Sequence, residues 1–220
     1  MGTTTSPPED YVTLSTDIAS LVEVYGKGDY PSVLCPPPIF LALMKINVLR
    51  YHTSLALQVP SAPSKEPDAV LSEIFAFSPE EWADQSPESR DALTLIGRIY
   101  QCAAALYCIL SLRASFPPEG TAQLLATETG MADMLFGLLR QIMANTTIRL
   151  CMVWPLLVAG VAAASRSPAE RAFVLAHFTV LSRELGTAFP LLAREVLKEF
   201  WASGSVDWDD CFDRPYAFVA

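Results

Sequence analysis

Charge is scarce in this chain of 220 residues. Asp, Glu, Lys and Arg together make up 18% of it, against about a quarter in average soluble chains. Cations are the scarcer sign: 15 Lys and Arg stand against 24 Asp and Glu, a net charge of −9. Such an acidic chain has no electrostatic footprint for a phosphate backbone, so direct nucleic acid contact by this chain is not expected. Histidine is nearly missing. His52 and His177 are the two present, and no HExxH pattern exists to hold a catalytic zinc. The cysteines Cys35, Cys102, Cys108, Cys151 and Cys211 contain no CxxC pair, which argues against a structural zinc site. They read as buried free thiols in a reducing compartment. The ten glycines are scattered, without a P-loop, a dinucleotide fingerprint or a Gly-x-Ser-x-Gly elbow. No metal and no cofactor are therefore expected. The start, Met1 to Pro8, lacks the basic and apolar regions of a signal peptide. The longest uncharged apolar run, Leu150–Ala164, is fifteen residues and carries Pro155. A bilayer needs ~20, so it reads as a buried core helix and no membrane is expected.

What is present is apolar and helical. Hydrophobic residues are 51% of the chain and mean hydropathy is +0.30, which excludes wholesale disorder. Residues 1–31 read as a flexible lead with one short helix at Thr16–Tyr25, and 32–220 as a single helical domain. Pro36-Pro37-Pro38 primes a helix over Ile39–Leu57 that is greasy on nearly every side, with Lys45, Asn47, Arg50 and His52 its strongly polar positions. A Pro/Ser loop covers 59–68, and Ala69–Phe77 follows. Ser78-Pro79-Glu80-Glu81 has the cap, the first-turn proline and the third-position Glu of a helix start. In the long helix Ser89–Ser115, Leu93, Ile96, Tyr100, Ala103, Tyr107 and Leu110 recur at helical spacing as a seam. Helices are expected at Gly130–Ala144, Ile148–Ala164 and Phe189–Ala202, with one between them opened by the capping box Ser167-Pro168-Ala169-Glu170 and closed by Gly186. Period-two alternation is never sustained. The expectation is all-α, a layered domain of eight to ten helices.

Few residues invite chemistry. Asp209-Asp210-Cys211-Phe212-Asp213 spells DDxxD, a magnesium–diphosphate pattern. Seven residues follow it, too few for a second metal motif, and it reads as a solvated acidic turn. Tyr51, His52, Arg98, Gln101 and Tyr107 are polar groups on otherwise apolar helices. Burying such groups costs roughly 1–3 kcal/mol each unless they are hydrogen-bonded. Their partners are other side chains or a ligand in an apolar pocket. With His177, which flanks its helix stripe, they are the effector-pocket candidates. No catalytic residue is assigned.

Several stretches carry a resemblance. Leu34-Cys35-Pro36 to Phe40 with Ile46-Asn47-Val48-Leu49-Arg50, and Phe77-Ser78-Pro79-Glu80-Glu81-Trp82-Ala83, are the first two. Ile99-Tyr100-Gln101-Cys102-Ala103 with Ala105 to Leu112 is the third, and Trp154-Pro155-Leu156-Leu157-Val158-Ala159-Gly160 the fourth. The last runs from Glu195-Val196 through Trp201 and Asp207-Trp208 to Phe218-Val219-Ala220. In this order and spacing they resemble the fungal-specific transcription factor domain, the C-terminal regulatory region of zinc-cluster transcription factors. The resemblance spans about Ser32 to Ala220. It implies an intracellular protein, nuclear or cytoplasmic, with an all-helical domain. That domain would regulate through effectors, self-association or the transcription machinery, while a separate six-cysteine module outside these residues reads DNA. Trp154, Pro155, Gly160, Trp201 and Trp208 are its structural motif positions, with Gly160 expected at a close helix contact.

Three readings follow. The first is a regulatory domain that responds to a small apolar effector or a protein partner. The second is a stand-alone helical enzyme of cyclase or isomerase type around an apolar pocket. The third is a module that homodimerises through an exposed apolar helix face, since excess apolar residues suit a pocket or an interface.

Overall fold

Helices account for the regular structure of the described residues. A computed structural model of the chain describes Thr5, residues 35–56, 66–146 and 148–214, and Tyr216. Among the described residues there are eight α-helices and no strand: α1 Pro37–Ala56, α2 Glu66–Ala76, α3 Pro79–Ala83, α4 Arg90–Ser111, α5 Thr121–Ile142, α6 Val153–Ala162, α7 Pro168–Leu185 and α8 Phe189–Ser203. The all-α architecture in a single helical domain is as its sequence reads.

The centre is α4. From Cys102 to Leu110 every residue is buried, because α1, α2, α3, α5 and α6 all pack against it. Ala103, Ala104 and Ala105 in mid-helix are each 0% exposed; their small side chains let neighbours approach from several directions. The last two helices form a second tier: α7 pairs with α8, and both lie on α6. All ten residues of α6 are buried, so its apolar run is the floor between the tiers. By length and hydropathy alone Pro87–Ser111 and Ile148–Ser165 would pass as membrane-crossing helices, but 72% and 67% of their apolar windows are buried inside the fold.

Local chemistry sets several helix ends. Ser78 Oγ accepts from the Glu81 amide at 3.2 Å and Pro79 opens α3. At α7 the capping box is complete: Ser167 Oγ accepts from the Glu170 amide at 3.3 Å, and Glu170 Oε2 accepts from the Ser167 amide at 3.2 Å. Gly186 closes α7 with φ 64°, a left-handed conformation that glycine adopts without strain.

Three sequence boundaries are corrected. α5 begins at Thr121, not Gly130. Its first turns are exposed on nearly every side, so no apolar stripe announces them. The run expected as one helix over Ile148–Ala164 is a 3₁₀ segment, Ile148–Met152, then α6, then another 3₁₀ turn, Ala163–Ser165. The loop expected at 59–68 ends sooner, since Glu66, Pro67 and Asp68 form the first turn of α2; residues 59–65 lie outside the described residues. So does the helix expected at Thr16–Tyr25. In the lead, Thr5 is buried and its hydroxyl donates to the carbonyl of Tyr216 at 2.7 Å.

Candidate functional site

Asn47 and Arg50 lie three positions apart on α1, hence on one face. Both are buried, 2% and 4% exposed, where an unmet polar group is costly. They meet Tyr107 of α4. Arg50 Nη1 donates to the Tyr107 hydroxyl at 2.8 Å, and that hydroxyl donates to Asn47 Oδ1. The Arg50 guanidinium also stands 5.7 Å from the centre of the Tyr107 ring. Its second arm, Nη2, donates to Asp209 Oδ1. The pair is asymmetric: the Arg50 side chain is 3% exposed and that of Asp209 is 40% exposed. Burial works against the Arg50 cation, but Tyr107 and Asp209 outweigh it and hold the guanidinium above its ordinary pKa.

An aromatic chain continues from this network. The Trp208 ring meets the edge of Tyr107 at 4.7 Å, and Phe212 meets Trp208 at 5.2 Å. On the other side Trp154 of α6 approaches Tyr107 edge-on at 6.1 Å and stacks on Tyr100 at 5.9 Å. The segment Asp207–Phe212 is thereby fastened over the junction of α1 and α4. Beside it opens a cleft of about 460 Å³, lined by Arg50, Thr53 and Ser54 of α1, the end of α4 through Ser115, and Asp207 to Asp210. Four hydroxyl residues, Thr53, Ser54, Ser111 and Ser115, give it a polar wall, with Leu110, Leu112, Ala114 and Trp208 between them.

The carboxylates of DDxxD do not converge. Asp209 serves Arg50, Asp210 accepts from the Ser205 hydroxyl at 2.5 Å, and Asp213 accepts from the Tyr216 hydroxyl at 2.6 Å. Among the described residues no three His, Cys, Asp or Glu gather as a metal site requires.

Of the six residues proposed for an effector pocket, Tyr107 is in this network and the others are scattered. His52 is at the surface, its ring 5.7 Å from the half-buried Tyr51. Arg98 is exposed and pairs with Glu80. Gln101 donates to the carbonyls of Ile74 and Phe77 at 2.8 and 2.9 Å, serving the end of α2. His177 sits against the Phe173 carbonyl at 2.9 Å with its ring on that of Phe173 at 4.2 Å. Arg98 and His52 are therefore not buried groups in need of partners: Arg98 is the outward residue of an otherwise buried stretch, and His52 is exposed among half-buried neighbours. Asn47, Arg50 and Asp209 were missed. The available signal was two polar residues three apart on an apolar helix.

The motif positions divide: Trp154 and Trp208 belong to the aromatic chain at Tyr107, while Gly160 and Trp201 meet where α6 packs on α8. Trp154 is 2% exposed, and Pro155 lies in the first turn of α6. Trp201 Nε1 donates to the Gly160 carbonyl at 3.0 Å, and Arg171 lies 5.4 Å from the Trp201 ring centre. A Cβ on Gly160 would collide with Leu197 Cδ1 and lie 3.1 and 3.3 Å from its Cδ2 and Cγ.

Residues 32–218 match the family described as the fungal specific transcription factor domain. The chain is 38% identical over 225 residues to the phomenoic acid biosynthesis cluster-specific transcriptional regulator of Leptosphaeria maculans. That alignment takes in 99% of this chain and 43% of the relative, so the chain spans less than half of the relative's length. No solved structure matches it. Residues from separate parts of the resemblance, Asn47 and Arg50, Tyr107, Trp154 and Trp208, meet around one buried arginine. On the family match and the identity together, the chain belongs to the fungal-specific transcription factor domain family.

Proposed function

We propose that this chain is a regulatory domain of a fungal transcription regulator, acting on transcription in the nucleus without touching DNA itself. Its response centres on the cleft beside Arg50, where a small effector or a partner's side chain sets how firmly the Asp207–Phe212 segment is held. The observation that carries this reading is the asymmetric ion pair: a deeply buried Arg50 depends on a carboxylate that is 40% exposed and lines an open cleft. An occupant of the cleft that competes for Asp209 would change the attachment of the whole segment. The net charge of −9 supports a role away from the phosphate backbone. The family match and the relative, named a cluster-specific transcriptional regulator, support control of transcription.

The test fuses the chain to an unrelated DNA-binding domain upstream of a reporter in a fungal host. The fusion is expected to shift reporter output from that of the DNA-binding domain alone. Asp209→Asn is expected to alter that output at unchanged protein level, and the purified chain is expected to leave duplex DNA unshifted at physiological salt. A reporter indifferent to both chain and variant, or DNA binding by the chain itself, overturns the reading.

A further inference from the structure

A serine followed by proline occurs at Ser6, Ser78, Ser86 and Ser167. The last three are described, and all stand in the same local setting: each is the cap before a proline that opens a helical turn. They differ in what the hydroxyl does. Ser78 is half-buried and its oxygen accepts from the Glu81 amide at 3.2 Å. Ser167 accepts from the Glu170 amide at 3.3 Å and donates to Glu170 Oε2 at 2.9 Å. Ser86 makes no side-chain capping bond. It stands in a stretch exposed without a break from Asp84 to Asp91, with its backbone opened out at φ −139° and ψ 78°.

We propose that Ser86 is a phosphorylation site for a proline-directed protein kinase. Such an enzyme must take a serine and its flanking residues into its groove. Proline in the next position brings no N–H to be stranded there, so a dry pocket for it favours Ser-Pro over other serines. In the transfer, Ser86 Oγ attacks the γ-phosphorus of ATP and the new O–P bond forms. The bond from that phosphorus to the β–γ bridging oxygen breaks, ADP leaves, and the hydroxyl proton passes to the kinase's catalytic carboxylate. Ser86 offers its oxygen with no hydrogen bond to surrender. Ser78 and Ser167 must first break a cap, and at Ser167 the product would face the Glu170 carboxylate.

The fold has room for the product. The phosphate adds about two negative charges at pH 7 just ahead of the 22-residue α4, whose first amides favour an anion. Arg90, at the first position of α4, is within one turn and is now shared with Asp84 at 2.5 Å. The modification would therefore redirect Arg90 from Asp84 to the phosphate and change the charge of the α3–α4 corner, leaving buried residues untouched.

The experiment uses the full chain carrying Ser6→Ala, so that the terminal Ser-Pro step does not compete. It is incubated with Mg-ATP and a mitogen-activated protein kinase or, separately, a cyclin-dependent kinase, and sites are mapped over time by tandem mass spectrometry. One phosphate is expected at Ser86, entering at least about fivefold faster than at Ser78 or Ser167, the factor that corresponds to losing one capping hydrogen bond. Ser86→Ala is expected to remove that phosphate and leave the circular dichroism spectrum unchanged. Equal or faster phosphorylation of Ser78 or Ser167, or no phosphate at Ser86 with both kinases, overturns the proposal.

Discussion

Replacing Gly160 by alanine should destabilise the fold, although the same change in an open helix stabilises. Alanine is favoured over glycine inside a helix by roughly 0.5–1 kcal/mol. At Gly160 that gain meets Leu197, whose Cδ1 occupies the space of the new methyl and whose Cγ lies 3.3 Å from it. Leu197 is 0% exposed, so its end can yield only by shifting against packed neighbours. Overpacking of this kind costs typically 1–3 kcal/mol, and the net loss is expected at about 0.5–2 kcal/mol. At ~2–4 °C per kcal/mol for a domain of this size, the melting temperature should fall by about 1–8 °C. The decisive arm is Leu197→Ala. That change alone should cost about 2–5 kcal/mol through the cavity it leaves, and in its background Gly160→Ala should become stabilising, because the obstacle is gone. Thermal melting of the four proteins measures the cycle. A Gly160→Ala protein as stable as its parent, or the same Gly160→Ala effect in both backgrounds, would refute the close contact of α6 with α8.

Gly130 and Gly137 on the outer face of α5 are the control, since a Cβ there meets nothing within 4 Å; alanine at each should raise stability by roughly 0.5–1 kcal/mol in melting experiments. Asp209→Ala leaves the buried Arg50 without its carboxylate. Discounted for the 40% exposure of Asp209, the loss is about 1–2 kcal/mol in urea unfolding, and Arg50→Met added to it should recover part of that loss. Burial of Glu170 opposes its ionisation, but hydrogen bonds from Arg166 and Ser167 prevail and hold its carboxyl below the usual range. A depressed folded pKa stabilises at pH above the unfolded value of about 4.3 and loses that contribution as pH falls through the folded value. Glu170→Gln should therefore melt below the parent at pH 7, and the gap should close on acidification below about pH 4. Burial pushes the Cys102 thiol up to about 11 and that of Cys108 up to about 12, so thiol reagents at neutral pH should label the half-buried Cys151 first and these two only after denaturation.

Short-range chemistry was the legible part. Ser167, Glu170 and Gly186 act within a few positions of one another, and both ends of α7 fall where those residues put them. The apolar excess of Cys102 to Leu110 and of α6 marked the core for the same reason. The start of α5 was not legible, because its inward positions, Leu124, Thr127 and Glu128, are only half-buried and two of the three are polar, so the stripe shows no apolar period to detect. Arg98 shows the opposite failure. Ile96, Gly97, Ile99 and Tyr100 around it are buried, and a step of one residue turns the side chain by about 100°, enough to carry Arg98 to the surface. The network at Arg50 was illegible for a different reason. Its partners lie 57 and 159 positions away, and no local rule pairs residues over such distances.

The wider of these two separations bears on how the chain is made. Arg50 leaves the ribosome 159 residues before the carboxylate that balances it. Over that interval a nascent chain carries a cation whose native place is in the interior and whose counterion does not yet exist. The junction of α1 with α4 can assemble on the ribosome only without the Arg50–Asp209 pair, and its closing step waits for Trp208 and Asp209 to emerge. A premature stop codon ahead of Asp207 would spare the eight described helices and still leave that step without its closing residues.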